Sequence, residues 1–293
     1  MDPSHLAHVL SQEEKRQFAE QGYLTIKGAL PPAELNRLEA ACDRVWRDEQ
    51  ARDLGPDQNL FYPNFVGREQ VFVDLLDHPR TFPKVWGLLN SWNIYLYHSH
   101  LGVTPQEAPA DTPVKRPLGF HQDSGRVNVE LRTFPTPRLS LKVAYFLTDV
   151  SEPGRGNFYI IPGSHLTDRV PPASEVGRDP REHTTAELPA GAVPICVPPG
   201  TAVLFDRRLW HSRGANHSAL TRKVLFYGYG YRWIRPKDDM RVEHLYERLT
   251  PIRRQLLGDA VKNAGRYAPA DDDVPLRTWL TEHLGADTVA AMD

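Results

Sequence analysis

"RLSLKVAYFLTDV" (138–150) and "RKVLFYGYGYRW" (222–233) decide the fold class of this 293-residue chain. Both are rich in β-branched and aromatic residues, which suit a pleated, half-buried surface. "NIYLYHSHLGV" (93–103), "NFYIIPGS" (157–164) and "GTAVLFDRRLWH" (200–211) read the same way, each bounded by Pro, Gly, Asp or Ser. Strands that follow one another without intervening helices predict an antiparallel sandwich or barrel, not a doubly wound sheet.

The flanks read differently. "SQEEKRQFAEQGY" (11–23) opens with Ser11 and carries Glu14 three residues on, the pattern of a reciprocal helix cap. "GYLTIKG" (22–28) is a short strand, and the helix after it starts near Pro32. Leu35, Leu38, Cys42, Val45 and Trp46 recur along that helix at helical spacing. Residues 69–91 predict two short helices broken at Pro79 and Pro83. After Pro236 helices return in "PIRRQLLG" (251–258) and "PLRTWLTEHLG" (275–285). The expected organisation is a single domain: a helical flank over 1–91, a β core over 92–235 and a helical extension over 236–293. Residues 166–189, polar and proline-rich without periodicity, predict either a lid or a surface loop.

Composition narrows the function classes. The net charge is -2 with 40% hydrophobic and 25% charged residues, and no basic run marks a nucleic-acid footprint. No apolar run approaches the roughly 18 residues of a membrane span. The start, "MDPSHLAHVL", lacks a basic segment followed by an apolar one, so a cytoplasmic location is expected. The cysteines, Cys42 and Cys196, read as two reduced, packed thiols.

"GFHQDSGR" (119–126) carries the candidate chemistry. On an extended chain His121 and Asp123 lie on one side, about 6.6 Å apart, so both side chains can reach one ion at about 2.1 Å. His211, at the end of a strand pattern, is the candidate third ligand. Two imidazoles and one carboxylate on one face of an octahedron form the triad of non-haem Fe(II) oxygenases, with three positions left open. His165 and His217 read as loop residues. His98 and His100 share a strand pattern with Ile94 and Leu96, either as packed core histidines or as a rival metal pair. Arg222 opens the strand after His211. It is either an exposed strand arginine or a bidentate carboxylate clamp.

"FHQD", "GNFYIIPGSH", "PGTAVLFDRRLWHSRGANHS" and Arg222 together resemble the phytanoyl-CoA dioxygenase family of Fe(II)/2-oxoglutarate oxygenases, over about residues 11–235. The resemblance implies a double-stranded β-helix, a cupin-like jelly-roll. It implies His121, Asp123 and His211 as iron ligands, Arg222 as partner of the far carboxylate of 2-oxoglutarate, and O2 as oxidant. It puts His98 where relatives place a polar contact to the co-substrate. Arg213 stands where the family commonly has a small hydroxyl residue, so it either helps hold 2-oxoglutarate or turns away. Because Asp123 is a carboxylate, oxygen chemistry is expected rather than halide transfer. Tyr97, Arg126, Tyr159 and Trp233 are the expected substrate-pocket residues, with Arg126 facing either an anionic group or solvent. The sequence has no Lys/Arg cluster beside a glycine loop to hold CoA phosphates. The expected substrate is therefore a small free metabolite, oxidised in a biosynthetic tailoring step. The rival readings are an iron enzyme independent of 2-oxoglutarate and a catalytically silent jelly-roll binding protein.

Overall fold

Seven consecutive residues, Ser140–Phe146, are all buried, so this segment must be covered on both faces. The computed structural model describes residues 1–55, 57–107, 119–123, 125–131, 133–167, 188–239, 242–259 and 263–292. Its strands are β1 (Tyr23–Ile26), β2 (Leu60–Pro63), β3 (Ile94–Thr104), β4 (Ser140–Phe146), β5 (Phe158–Ile160), β6 (Val193–Ile195), β7 (Thr201–Asp206), β8 (His211–Arg213) and β9 (Arg222–Tyr231). Its helices are α1 (Gln12–Gln21), α2 (Pro32–Gln50), α3 (Gln70–Val73), α4 (Phe82–Leu89), α5 (Gly125–Glu130), α6 (Pro251–Leu256), α7 (Pro275–Leu284) and α8 (Ala286–Ala290).

The strands form two antiparallel sheets, one in the order β1-β7-β4-β9-β3-β2 and one in the order β6-β5-β8. This is the expected jelly-roll core with helical flanks. The large sheet also takes β1 and β2 from the segment read as a helical flank, and both stand at its edges.

Strand alternation splits the core in two. Leu141, Val143 and Tyr145 of β4 join Leu225, Tyr227 and Tyr229 of β9 beneath the helices, against residues such as Leu38, Phe82 and Leu280. Ala144 and Phe146, with Val224 and Phe226, face the small sheet and meet Phe158, Ile160 and Ile195. The "YGYGY" repeat of β9 follows this division. Tyr227, Tyr229 and Tyr231 point to the helices and donate hydrogen bonds to the carbonyls of Phe72, Leu76 and Leu89 at 2.7, 2.8 and 3.1 Å. Gly228 and Gly230 face inward, where a Cβ would lie 3.2 and 3.3 Å from the Tyr97 ring.

The reciprocal cap of α1 is present, Ser11 accepting from the Glu14 N–H and Glu14 from the Ser11 N–H. Pro83 does not break a helix. It lies in the first turn of α4, where a missing N–H costs nothing. Cys42 is buried as expected, but Cys196 is exposed, because it follows β6, a short edge strand of the small sheet. Among the described residues no helix is long and apolar enough to cross a membrane. Residues 168–187 of the expected lid lie outside the described residues.

The end of β7 is fastened by a buried charge cluster. Asp206 accepts from Arg138 at 2.7 Å and from Arg208 at 2.7 and 2.8 Å, and its own N–H donates to the Gly22 carbonyl. Gly22 is left-handed (φ 80°), and a Cβ there would fall 2.7 Å from His165, so only glycine closes this approach. Burial opposes ionisation of Asp206, but Arg208 and Arg138 outweigh it and hold its pKa at about 2. A depressed carboxylate contributes stability above its unfolded pKa and loses it as pH falls through the folded value. This group is therefore expected to withdraw about 2 kcal/mol between pH 4 and 2. Urea unfolding at stepped pH checks this. Asp206→Asn should be less stable at neutral pH and should show a shallower acid slope, and an unchanged slope would contradict the assignment.

Candidate metal centre

Main-chain pairing brings the three expected ligands together. His121 and His211 exchange N–H···O bonds, both 3.0 Å, and the Asp123 N–H donates to the Arg207 carbonyl at 2.8 Å. The 121–123 segment is thereby laid along the chain entering β8, with the imidazole centroids 4.3 Å apart. Candidate ligand atoms of His121, Asp123 and His211 all lie within 4.8 Å of one another.

Each imidazole is oriented by the carbonyl two residues before it. His121 Nδ1 lies 2.9 Å from the Gly119 oxygen and His211 Nδ1 2.8 Å from the Leu209 oxygen. A carbonyl only accepts, so in each neutral ring the proton sits on Nδ1 and Nε2 keeps its lone pair. Asp123 is almost fully buried. Its Oδ1 accepts from the Lys142 ammonium at 2.7 Å, while Oδ2 has no hydrogen-bond partner and lies 3.8 Å from His211 Nε2. Two imidazole lone pairs and an orphaned carboxylate oxygen converging at this spacing fit a divalent cation. Burial opposes the Asp123 charge, but Lys142 outweighs it and the carboxyl lies well below the usual range. Burial, with His121 alongside, pushes His211 down to about 3, which keeps it neutral and able to ligate.

The centre opens into a cavity of about 480 Å³. Arg222, at the start of β9, lines it and is buried. Its inward direction follows from sharing a face with Val224 and Phe226. Its Nε has no hydrogen-bond partner. Gly156 makes room for it, since a Cβ there would stand 2.7 Å from the Arg222 Cδ. Burial, then the neighbouring Arg213, lowers the guanidinium to about 9, so the site favours an incoming anion. Arg213 also lines the cavity, but Glu107 holds it with two hydrogen bonds of 2.7 and 3.0 Å. Of the two arginines expected near the co-substrate, one is already paired.

His98 lines the cavity, but not on the face shared with Ile94 and Leu96. Between Leu96 and His98 the register with β9 shifts, two residues of β3 opposing one. This β-bulge turns His98 and His100 inward while Ile94 and Leu96 stay under the helices. His98 Nδ1 lies 2.7 Å from Asp238.

The expected substrate residues do not line this cavity. Tyr97 packs its ring on Gly228 and Gly230 and its hydroxyl meets Ser140. Arg126 projects from α5, its side chain 82% exposed, and pairs with Glu130 at 2.6 Å. Tyr159 points to the opposite side of β5 from Phe158, against Gly214. Trp233 is exposed and stacks on Tyr231. The cavity wall uses Phe158, Phe205 and Phe226 instead, with Lys142 and His100. Lys142 was visible in the sequence as the one charge within "SLKVAYF". Glu107 and Asp238 gave no local signal.

The phytanoyl-CoA dioxygenase family model matches residues 18–224. The chain is similar to the dioxygenase trt7 of Aspergillus terreus, 25% identical over 277 residues, covering 89% of this chain and 88% of that protein. It is similar to the peroxisomal phytanoyl-CoA dioxygenase of Bos taurus, 25% identical over 239 residues and covering 74% and 68%. Among solved structures it is similar to SnoK, an alpha-ketoglutarate-dependent carbocyclase from nogalamycin biosynthesis (TM-score 0.57, 25% identity, 87% and 94% covered). It shares its fold with HygX of Streptomyces hygroscopicus, solved with nickel and 2-oxoglutarate (TM-score 0.60, 18% identity, 78% and 90% covered). With a His-Asp-His cluster that fits a metal and a family match over most of its length, the chain belongs to the phytanoyl-CoA dioxygenase family, the non-haem iron, 2-oxoglutarate-dependent dioxygenases.

Proposed function

We propose that His121, Asp123 and His211 hold Fe(II), that Arg222 receives the far carboxylate of 2-oxoglutarate, and that the enzyme oxidises a C–H bond of a small-molecule metabolite in a biosynthetic tailoring step. The observation that carries this reading is the pair of unsatisfied polar groups in one cavity, the Asp123 Oδ2 and the buried Arg222 guanidinium. Buried polar groups left without a partner are costly, so the half-satisfied Asp123 carboxylate calls for a cation at Oδ2 and the Arg222 guanidinium for an anion. The relatives support the tailoring step, since SnoK acts in nogalamycin biosynthesis and trt7 is a dioxygenase.

The oxidising chemistry is supplied by Fe(II), 2-oxoglutarate and O2 when they are bound. The protein's part is orientation and exclusion of water. The Gly119 and Leu209 carbonyls fix the imidazole tautomers. Lys142 occupies Asp123 Oδ1 and so leaves only Oδ2 for coordination. Glu107 keeps Arg213 engaged, so Arg222 is the guanidinium left for a carboxylate. Phe158, Phe205 and Phe226 make the wall apolar beside the reacting centre.

Two measurements test this reading. His211→Ala and Asp123→Ala should abolish tight Fe(II) or Mn(II) binding, followed by metal content and by Mn(II) EPR. His165→Ala, whose ring bonds the Ala19 carbonyl away from the cluster, should retain it. Full metal binding by His211→Ala would refute the ligand set.

Losing one partner of a buried charged pair costs about 2–5 kcal/mol. That corresponds to roughly 30- to 3,000-fold in affinity. Arg222→Ala should raise the 2-oxoglutarate requirement by that order in a succinate assay and leave metal binding intact. Arg222→Lys should fall between, keeping the charge but not the planar fork. Arg213→Ala should change the requirement far less. Wild-type 2-oxoglutarate dependence in Arg222→Ala would remove the clamp.

A further inference from the structure

The wall formed by β3 carries a hydrogen-bonded chain that ends on His100, a residue outside the iron and 2-oxoglutarate assignments. Asp238 is its origin. One carboxylate oxygen accepts from the Ser99 N–H at 2.5 Å and the other lies 2.7 Å from His98 Nδ1. His98 Nε2 lies 3.1 Å from His100 Nδ1. A carboxylate offers acceptors only, so His98 carries a proton on Nδ1, and burial lowers its pKa and keeps the ring neutral, leaving Nε2 a lone pair. His100 must then donate from Nδ1, and its own Nε2 is left as an acceptor. Nε2 of His100 has no hydrogen-bond partner among the described residues, and His100 lines the cavity. The ring is stacked between Phe61 and Phe226, with centroids 4.6 and 4.3 Å away. Burial first, then the Lys142 charge, keeps His100 well below the ordinary histidine value and therefore neutral.

The co-substrate cannot satisfy this acceptor, because the carboxylates and keto oxygen of 2-oxoglutarate are acceptors themselves. A substrate ammonium is disfavoured by the Lys142 and Lys237 ammonium groups, which line the same cavity and act on His100. A neutral donor remains, and the aromatic wall suits an apolar body behind it. We propose that the substrate is an apolar-bodied alcohol whose hydroxyl donates to His100 Nε2, with Asp238 and His98 setting the polarity of that contact. This rests on the reading of the cavity as the oxygenase's reaction chamber. His100 is then a specificity residue, and Asp238 and His98 are positioning residues.

The chain can be reversed by one near-isosteric change. In Asp238→Asn the Ser99 N–H still requires an acceptor, so the amide oxygen turns to it and the NH2 faces His98. Both imidazoles must then flip tautomer, and His100 presents an N–H to the cavity. The test uses histidine-labelled protein loaded with Zn(II) and 2-oxoglutarate, read by 15N NMR, with 1-indanol and its methyl ether as matched probes. In the wild type, His100 should carry its proton on Nδ1 and 1-indanol should bind about tenfold tighter than the ether, about 1.4 kcal/mol. Asp238→Asn should move the proton to Nε2 and abolish or invert the preference. His100→Phe, which keeps the aromatic stack, should abolish it. A wild-type His100 protonated on Nε2, failure of 1-indanol to bind, equal binding of the two probes, or an unchanged preference in Asp238→Asn each overturns the proposal. Succinate formation from 2-oxoglutarate by the Fe(II) enzyme separates the two readings. Turnover without alcohol preference sinks this inference alone, and alcohol preference without turnover sinks the oxygenase reading alone.

Discussion

A carboxylate removed from water with only one of its oxygens satisfied is the constraint around which this molecule is arranged. Asp123 is buried, and a lone buried charge would be prohibitively costly. Lys142 answers half of the problem from β4, and the orphaned Oδ2 leaves the other half for a cation between His121 and His211. The backbone is committed to the same end. The His121–His211 exchange and the Asp123–Arg207 bond make the ligand segment a short extra strand against β8, so its side chains inherit the direction of the small sheet.

The large sheet supplies the opposite side of the site through strict alternation. In β9 Tyr227, Tyr229 and Tyr231 bind the helices through their hydroxyls, and Arg222, Val224 and Phe226 face the cavity. The same period delivers Arg222 inward and sends Lys223 outward to Glu39 and Asp43 of α2. Strand β3 would have opposed this period had it stayed regular. Its bulge exchanges faces midway, so one strand gives Ile94 and Leu96 to the helix-facing core and His98 and His100 to the cavity.

The cavity is electrostatically divided as a result. Lys142, Arg213 and Arg222 come from β4, β8 and β9 and line one part of it. The β3 wall carries neutral imidazoles whose polarity descends from Asp238. Arg213, which departs from the small hydroxyl residue common in the family, is neutralised by Glu107 and does not compete with Arg222. Glu107 is itself held at about 2: burial opposes its charge and the Arg213 contact outweighs that, so the pair stays ionised near neutral pH.

The sequence alone determined the class of fold, because segments rich in β-branched and aromatic residues follow one another without intervening helices. It also determined the triad and Arg222 as candidates, since His-x-Asp and the strand-opening arginine are local patterns. The helix caps were legible for the same reason. Tertiary structure decided everything that depends on which strand lies beside which. Lys142 could be seen as a charge in an apolar strand, but its partner is 19 residues away in sequence and 2.7 Å away in space. Arg213 could be seen, but Glu107, which neutralises it, lies 106 residues away. Tyr97, Arg126, Tyr159 and Trp233 were expected in the substrate pocket and do not line the cavity. A bulge, a helix, strand alternation and an exposed turn respectively carried them elsewhere. The bulge also separated His98 from the face its spacing implied. Side-chain direction follows local period only while the ladder is regular, and the ladder's irregularities are set by pairing between distant strands.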